Sequence, residues 1–448
     1  MIEMGKFKNK IFYLFISTFL ILIILSINDY YIVASIYFYY LLFSLTFEII
    51  KVKRIFLIHV WNGAFIFIIL SEVFLPYFVP YGKIDVIKYL IISNIVVNIG
   101  YNISSFNFKV KERKNYLLKK RSKLSPIILL VLVVAYFILK IQDAIFSFSV
   151  GRNTAIENND EANLFTTIFI NPLGLILPAI IVYYFYVYKK NKWYIPLILS
   201  LPIFIVLFLE GTRFTLLFSL IGFALVLLSQ TIKSKVTFKT YVLIVFACFS
   251  LVISSNLMKH LRSSVTKDES FNILIEEENK DLQSLMVPYM SPEGVVDMTD
   301  LSFKYFKNHE HLYGESSSFI LYFWIPRSIW PDKPTMLGYW LIRKYRSGFG
   351  DEHSSSFGFT GDFYADFGMF SFFFIFLLGY FVKILEAFKD QAFRDGGYNI
   401  IIAALLYSYV FFFVRSPITS SMNFMGILFF YFFLRAVLFK KTTIKLLK

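Results

Sequence analysis

Apolar runs of roughly 18 or more residues recur along this chain from end to end, and each is long enough to cross a bilayer as a helix. A hydrocarbon core about 30 Å thick needs about 20 apolar residues per helical crossing. Twelve spans fit the pattern: Ile11–Ile27, Tyr30–Ile50, Ile55–Phe78, Ile84–Phe106, Leu124–Ile141, Leu164–Tyr188, Trp193–Leu209, Phe214–Gln230, Tyr241–Leu257, Asp366–Leu385, Tyr398–Val414 and Asn423–Phe439. The expected fold is therefore an all-α polytopic membrane protein. Composition agrees: 57% hydrophobic and 17% charged residues, with a mean hydropathy of +0.63, exclude an ordinary soluble domain. The first run follows Lys6, Lys8 and Lys10 as a signal peptide would, but no small-x-small cleavage site comes after it, so it is read as a span.

The formal charge of +15 has to be distributed over the connections before it is read as a nucleic-acid footprint. Cytoplasmic loops carry the excess of lysine and arginine, so with correct spans every second connection should be basic. The N-terminus, Lys51–Arg54, Lys109–Lys123, Lys189–Lys192, Lys233–Lys239, Lys389–Arg394 and Lys440–Lys448 are the basic ones, and all fall on one side. That assigns both termini to the cytoplasm. The opposite short connections hold almost no cations apart from Lys83, Arg152, Arg213 and Arg415. Topology thus explains the basic balance, and no nucleic-acid partner is implied.

Residues 1–257 contain nine spans, and 366–448 contain three and a basic tail. Between them, Met258–Ala365 is polar and reads as a long extracytoplasmic loop. Its first part, with Glu276, Glu277, Glu278, Asp281 and Glu293, has the composition of a solvated surface. Ser318–Trp330 is aromatic but too short to span, which suits a position in the membrane interface. No internal repeat is found, which weakens a transporter built from two matching halves.

No phosphate-binding glycine loop occurs, so ATP-driven work is not indicated. Cys248 is the sole cysteine, which excludes a disulfide framework and a cysteine-ligated metal. His309-Glu310-His311 lacks the spacing of a zinc helix. The informative cations are those opposite the basic side. Arg213 stands in Glu-Gly-Thr-Arg213, the interruption in an otherwise apolar stretch, and either pairs with Glu210 or binds an anion. Arg415, at the outer end of the eleventh span, raises the same question. Arg327 and Lys333 sit among aromatics and prolines in the loop, with Arg343, Lys344 and Arg346 following as a simpler solvated or headgroup-facing patch. Beyond them, Gly350–Gly368 alternates small residues, aromatics and carboxylates, as a sugar-binding cleft requires. The plainer reading makes Asp362 or Asp366 a cap of the tenth helix, and capping suits Asp366 better. His353 is the titratable group near neutral pH in this stretch.

These residues resemble the O-antigen polymerases, the Wzy-type polymerases of oligosaccharide repeat units. The matching features are Glu-Gly-Thr-Arg213, Ile-Pro-Arg327 leading into Trp-Pro-Asp-Lys-Pro334, Phe-Thr-Gly-Asp362 through Asp-Phe-Gly368, and the late outer Arg415. Arg327 and Gly338 enclose ten residues, similar to a spacing described for some members, while Arg213 has no glycine at that distance. The resemblance implies a GT-C-like helical fold in a bacterial cytoplasmic membrane and a glycosyltransferase acting at the outer face. Donor and acceptor would be polyprenyl-diphosphate-linked oligosaccharides, with membrane lipid and a chain-length regulator as further partners and no cofactor or metal. It also implies Arg213, Arg327 and Arg415 on the diphosphate, Lys333 assisting, and His353, Asp362 or Glu210, in that order, as general base. A lipid-linked oligosaccharide flippase and an O-antigen-ligase-like enzyme are the alternatives. The flippase would place charges through the span interiors, which are nearly free of them. Sequence separates polymerase from ligase poorly, and it leaves open whether the product is O-antigen, capsule or exopolysaccharide.

Overall fold

The computed structural model describes residues 2–52, 54–74, 83–104, 116–120, 125–150, 169–190, 192–210, 213–228, 294–325, 329–330, 332–345 and 356–443. Its helices are α1 (Ile2–Ser26), α2 (Tyr30–Val52), α3 (Leu57–Val73), α4 (Ile84–Ile103), α5 (Ser125–Val150), α6 (Asn171–Tyr188), α7 (Tyr194–Leu209) and α8 (Arg213–Leu227). There follow α9 (Val295–Phe306), α10 (Glu315–Tyr322), α11 (Leu337–Tyr345), α12 (Gly358–Phe367), α13 (Ser371–Asp395), α14 (Asn399–Arg415) and α15 (Pro417–Leu438). Six of the described helical segments are long and apolar enough to cross a membrane, and five more are shorter apolar helices. The anticipated span Tyr241–Leu257 and the acidic cluster from Glu276 lie outside the described residues.

One departure from all-helix structure is a two-stranded antiparallel ribbon, β1 (Tyr116–Lys120) with β2 (Phe439–Thr443), in the register Tyr116 opposite Thr443. Both strands come from basic segments that the charge alternation puts on one side of the membrane. Other contacts obey the same rule. On the basic side, the Leu57 N–H donates to Glu386, His59 pairs with Glu48 at 2.8 Å, and Tyr431 donates to Asn399 at 2.7 Å. On the other, Lys88 donates to the Leu25 carbonyl at 3.1 Å, Lys83 pairs with Asp297, and Lys140 pairs with Glu210 at 2.8 Å.

The chain divides into two compact units. The first comprises residues 1–108, 290–387 and 410–418. Its buried centre is α4, while α2 leaves most of its surface exposed, as a lipid-facing helix does. Helices α4 and α13 cross at Gly100 and Gly379, where a Cβ would fall 2.2 Å from the Phe376 carbonyl oxygen and 2.1 Å from that of Val97. Such backbone contact between helices is available only to the smallest side chain. A buried neutral network completes the unit's interior: Trp61 donates to Asn94 at 2.7 Å, Asn62 and Asn98 bond each other at 2.9 Å, and Asn94 donates to the Tyr37 hydroxyl at 2.8 Å. In an apolar surround each of these groups needs such a partner.

The loop helices belong to the same unit and have an apolar core of their own. Met298, Phe306, Leu337, Leu341, Ile342, Phe357 and Ala365 are buried together. Leu321, Trp324 and Ile329 remain exposed. The second unit, residues 109–289, 388–409 and 419–448, is built round α6, whose apolar face is almost wholly buried. Helix α8 packs along α6, and α5 packs along α7.

The expected tenth span needs correction at its start. Asp366 does not open it: α12 ends at Phe367, Gly368 takes φ +57° and ψ −135°, a conformation open to glycine, and the long helix restarts at Ser371. The added Cβ of any other residue at 368 would also meet the His311 ring at 2.5 Å.

Candidate active site

In the first unit the carboxylates of the Gly350–Gly368 stretch have separate tasks. Asp366 is fully buried, and its oxygens accept the Ser316 N–H at 3.0 Å, the Ser317 N–H at 2.8 Å and the Ser317 hydroxyl. It is thus a helix cap, as its type suggests, but of α10 and not of the helix that follows it. Main-chain bonds from Leu312 to the Ala365 carbonyl and from Tyr313 to that of Asp366 hold the two segments together. Asp362, one turn earlier on α12, is buried as well, and among the described residues its carboxyl has no hydrogen-bond partner.

Helix α12 is positioned by what surrounds its first residue. Gly358 has φ +66°, and a Cβ there would lie 2.7 Å from Val295 of α9 and 3.4 Å from the Val414 carbonyl oxygen of α14. Just before it, the Ser356 hydroxyl donates to the Arg415 carbonyl. The fold therefore ties the start of α12, the helix that carries Asp362, to the turn that carries Arg415, the last residue of α14. Helix α9 closes the other side: Thr299 bonds Val295 and lies 3.4 Å from the Thr360 hydroxyl, and Ser302 donates to the Gly361 carbonyl at 3.4 Å. The start of α9 is clamped in turn by buried Glu72, whose oxygens accept the Val296 and Asp297 N–H groups at 3.1 and 3.3 Å. Glu72 is inconspicuous in the sequence because it stands inside an apolar run.

Lys333 is buried, with its Nζ at 3.1 Å from the Phe323 carbonyl, at 2.7 Å from that of Ile325 and over the Phe319 ring. It ties down the chain on the N-terminal flank of Arg327. Arg327 itself and His353 lie outside the described residues. The histidines that suggested a metal are engaged with rings, His309 stacked on Tyr305 at 4.0 Å and His311 facing Phe306 at 5.5 Å.

In the second unit Glu210 ends α7, and Arg213 is the first residue of α8. Sequence left open whether Glu210 pairs with Arg213; the structure pairs Glu210 with Lys140 of α5 at 2.8 Å, and the Arg213 side chain lies outside what it describes. Lys140 was hidden at the end of an apolar run. Its signal was a single ammonium in an otherwise apolar stretch, three residues before Asp143.

These features define a helical multi-pass membrane protein whose described non-spanning helices pack on an apolar core beside the buried carboxylates Asp362 and Asp366. A family model of the O-antigen polysaccharide polymerase Wzy matches residues 9–446. The chain belongs to that family, and its activity is the polymerisation of oligosaccharide repeat units, a glycosyltransferase-type reaction on lipid-linked substrates. No curated protein and no solved structure matches it.

Proposed function

We propose that the enzyme moves the growing glycan from its polyprenyl diphosphate to the non-reducing end of an incoming lipid-linked repeat unit, at the outer face of a bacterial cytoplasmic membrane. The hydropathy count carries a twelve-span topology, the charge alternation carries its cytoplasmic termini, and the family resemblance carries a GT-C-like architecture. In the reaction the acceptor hydroxyl attacks the anomeric carbon, the bond to the diphosphate oxygen breaks, and a base takes the hydroxyl proton. No nucleotide sugar is needed, because the sugar–diphosphate bond is already activated.

Arg213, Arg327 and Arg415 serve the diphosphate, stabilising the charge that develops as it leaves. Arg213 opens α8, so the N-terminal N–H groups of that helix add to its attraction for an anion. Lys333 assists by holding the flank of the Arg327 segment, since its ammonium already serves two carbonyls. For the base, His353 is the candidate by sequence, three residues before the Ser356 that bonds Arg415. Asp362 is a buried carboxyl with no hydrogen-bond partner among the described residues, and Glu210 stands behind it because Lys140 already holds it. A chain-length regulator is a further partner.

The observation that carries the reading is Asp362, a buried carboxyl without a hydrogen-bond partner among the described residues, on a helix tied to the Arg415 turn. The test is a reconstitution with polyprenyl-diphosphate repeat units, without ATP or nucleotide sugars, read as a glycan ladder. Asp362→Asn should lower polymerisation by about 10²–10⁴-fold, the usual contribution of a general base, at unchanged membrane abundance. A full ladder from Asp362→Asn transfers the role to His353, for which His353→Ala is the matching variant. Arg415→Ala should lose the ladder too, and a wild-type ladder from it would remove Arg415 from the diphosphate.

A further inference from the structure

The end of α10 turns large apolar side chains outward and closes off its polar groups from within. Leu321 and Ile329 are 73% and 74% exposed, and Trp324 is 55% exposed. Apolar side chains gathered on a surface in this way mark a place that meets a membrane or a partner. The Trp324 indole N–H donates to the Leu321 carbonyl at 2.8 Å, the Tyr322 hydroxyl to the Glu315 carbonyl at 3.1 Å, and the Ile325 N–H to the Tyr322 carbonyl at 3.0 Å. Lys333 supplies what the helix end lacks. Its buried ammonium serves the carbonyls of Phe323 and Ile325, which follow the last turn of α10 and have no helical donor ahead of them. The limb that carries Lys333 is held beside the helix by Trp330, whose ring lies 5.2 Å from that of Tyr322. Water would serve these carbonyls and hydroxyls on an ordinary surface; hydrocarbon would not, and there every polar group needs an internal partner.

At its other end α10 starts beside a lipid-facing helix. The Tyr313 N–H donates to the Asp366 carbonyl at 2.9 Å and the Asp366 carboxylate caps α10, so the start of α10 is fastened to the junction of α12 and α13. Tyr313, Met369 and Phe370 are exposed at this junction. Phe370 continues a stripe of exposed residues on α13, Phe373, Leu377 and Phe381, whose spacing of three and four residues puts them on one helix face. Because α13 belongs to a segment long and apolar enough to cross a membrane, that stripe meets acyl chains, and its upper end sets the level at which α10 begins. Exposed carboxylates limit the depth. Glu315 and Asp332 face solvent, and Glu315, six residues from Leu321, is turned about 120° away from it round the helix. Ionised carboxylates stay out of hydrocarbon, so the segment lies at the boundary and goes no deeper.

We propose that this surface is a lipid-docking site. Helix α10 lies along the leaflet beside which its domain folds, the outer one in the proposed topology, with Leu321, Trp324 and Ile329 among the acyl chains at one end and Tyr313, Met369 and Phe370 at the other. Lys333 is the cap that lets the end of α10 leave water. Residue types alone point Ser318–Trp330 to the interface; the contacts identify the side chains that enter it, extend the surface to the α13 junction and give the buried lysine its task. A protein partner would bring donors and acceptors of its own, and the internal pairing of this segment leaves little for them to meet. The site does not depend on which residue is the general base.

The experiment uses the full-length protein in phospholipid vesicles, with Cys248→Ser removing the sole native cysteine and a nitroxide label placed in turn on Leu321→Cys, Ile329→Cys and Met369→Cys. Relaxation of each label is read with oxygen, which concentrates in hydrocarbon, and with a water-soluble nickel chelate. All three should respond to oxygen and be shielded from nickel, and the exposed Lys307→Cys should show the reverse. Nickel access at Leu321→Cys and Ile329→Cys equal to that at Lys307→Cys puts the surface in water and overturns the proposal. Shielding from both reagents also overturns it, because the surface is then covered by protein, whether a second copy or another part of the chain. Lys333→Met should move the Leu321→Cys label toward nickel while the Met369→Cys label stays in lipid, and Lys333→Arg should leave both in place. An unmoved Leu321→Cys label in Lys333→Met overturns the cap. Should the labelled proteins fail to accumulate, tryptophan emission decides. In vesicles of a phospholipid brominated on its acyl chains, Trp324→Phe should remove part of the quenched emission of the five tryptophans, and an undiminished quenched emission counts against the proposal.

Discussion

Asp366→Ala isolates the contact that fastens the polar domain to the helix carrying Asp362. The wild-type carboxylate accepts two backbone N–H groups of the first turn of α10 and the Ser317 hydroxyl, in a place where Asp366 has no exposed surface. Alanine strands the two N–H groups. The hydroxyl can rotate to another acceptor, so the estimate counts the amides alone. Each buried donor left without a partner costs about 1–3 kcal/mol, which gives about 2–6 kcal/mol for the pair. Even the low end is about a 30-fold change in the local opening equilibrium. Hydrogen exchange of the protein in nanodiscs should then show amides of residues 312–322 exchanging at least that much faster, with α14 as the internal reference. Asp366→Asn keeps one carbonyl oxygen and should lose less. Unchanged exchange across α10 in Asp366→Ala would refute the cap, and with it the claim that α12 and α10 are joined through this side chain.

Gly379→Ala should destabilise the purified protein by about 1–3 kcal/mol, because a Cβ there meets the Val97 carbonyl at 2.1 Å and the helices must part. Gly63→Ala, whose Cβ would meet nothing within 4 Å, is the control, and equal melting temperatures for the two variants would contradict the α4–α13 crossing. Glu72→Ala removes the acceptor for two N–H groups at the start of α9, so limited proteolysis should cut near Gly294 faster than in wild type; unchanged cleavage would argue that α9 is held by its apolar core alone.

The helical, membrane-spanning character of the fold was legible in one dimension. It follows from residue hydropathy, and the expected two-sided arrangement from where lysine and arginine accumulate, neither of which needs a partner elsewhere in the chain. The contacts of Leu57 with Glu386 and of β1 with β2 join segments far apart in sequence yet assigned to one side by that charge count alone. The candidate site was legible only as residue types. Asp362 and Asp366 look alike in sequence, four residues apart on one helix; one holds three donors and the other none among the described residues.

The sequence by itself therefore determined that this is a multi-pass membrane protein and which family it joins. Only the tertiary structure decided which carboxylate caps α10, that Glu72 clamps α9 and that Lys140 is the partner of Glu210. The physical reason is the solvent. In water a helix shows its buried face through the alternation of apolar and polar residues, but in lipid both faces are apolar, and no periodicity tells which side meets the protein. The position of a lone charge at the end of such a run is visible in the sequence; its partner is set by helix rotation and crossing, which only packing fixes.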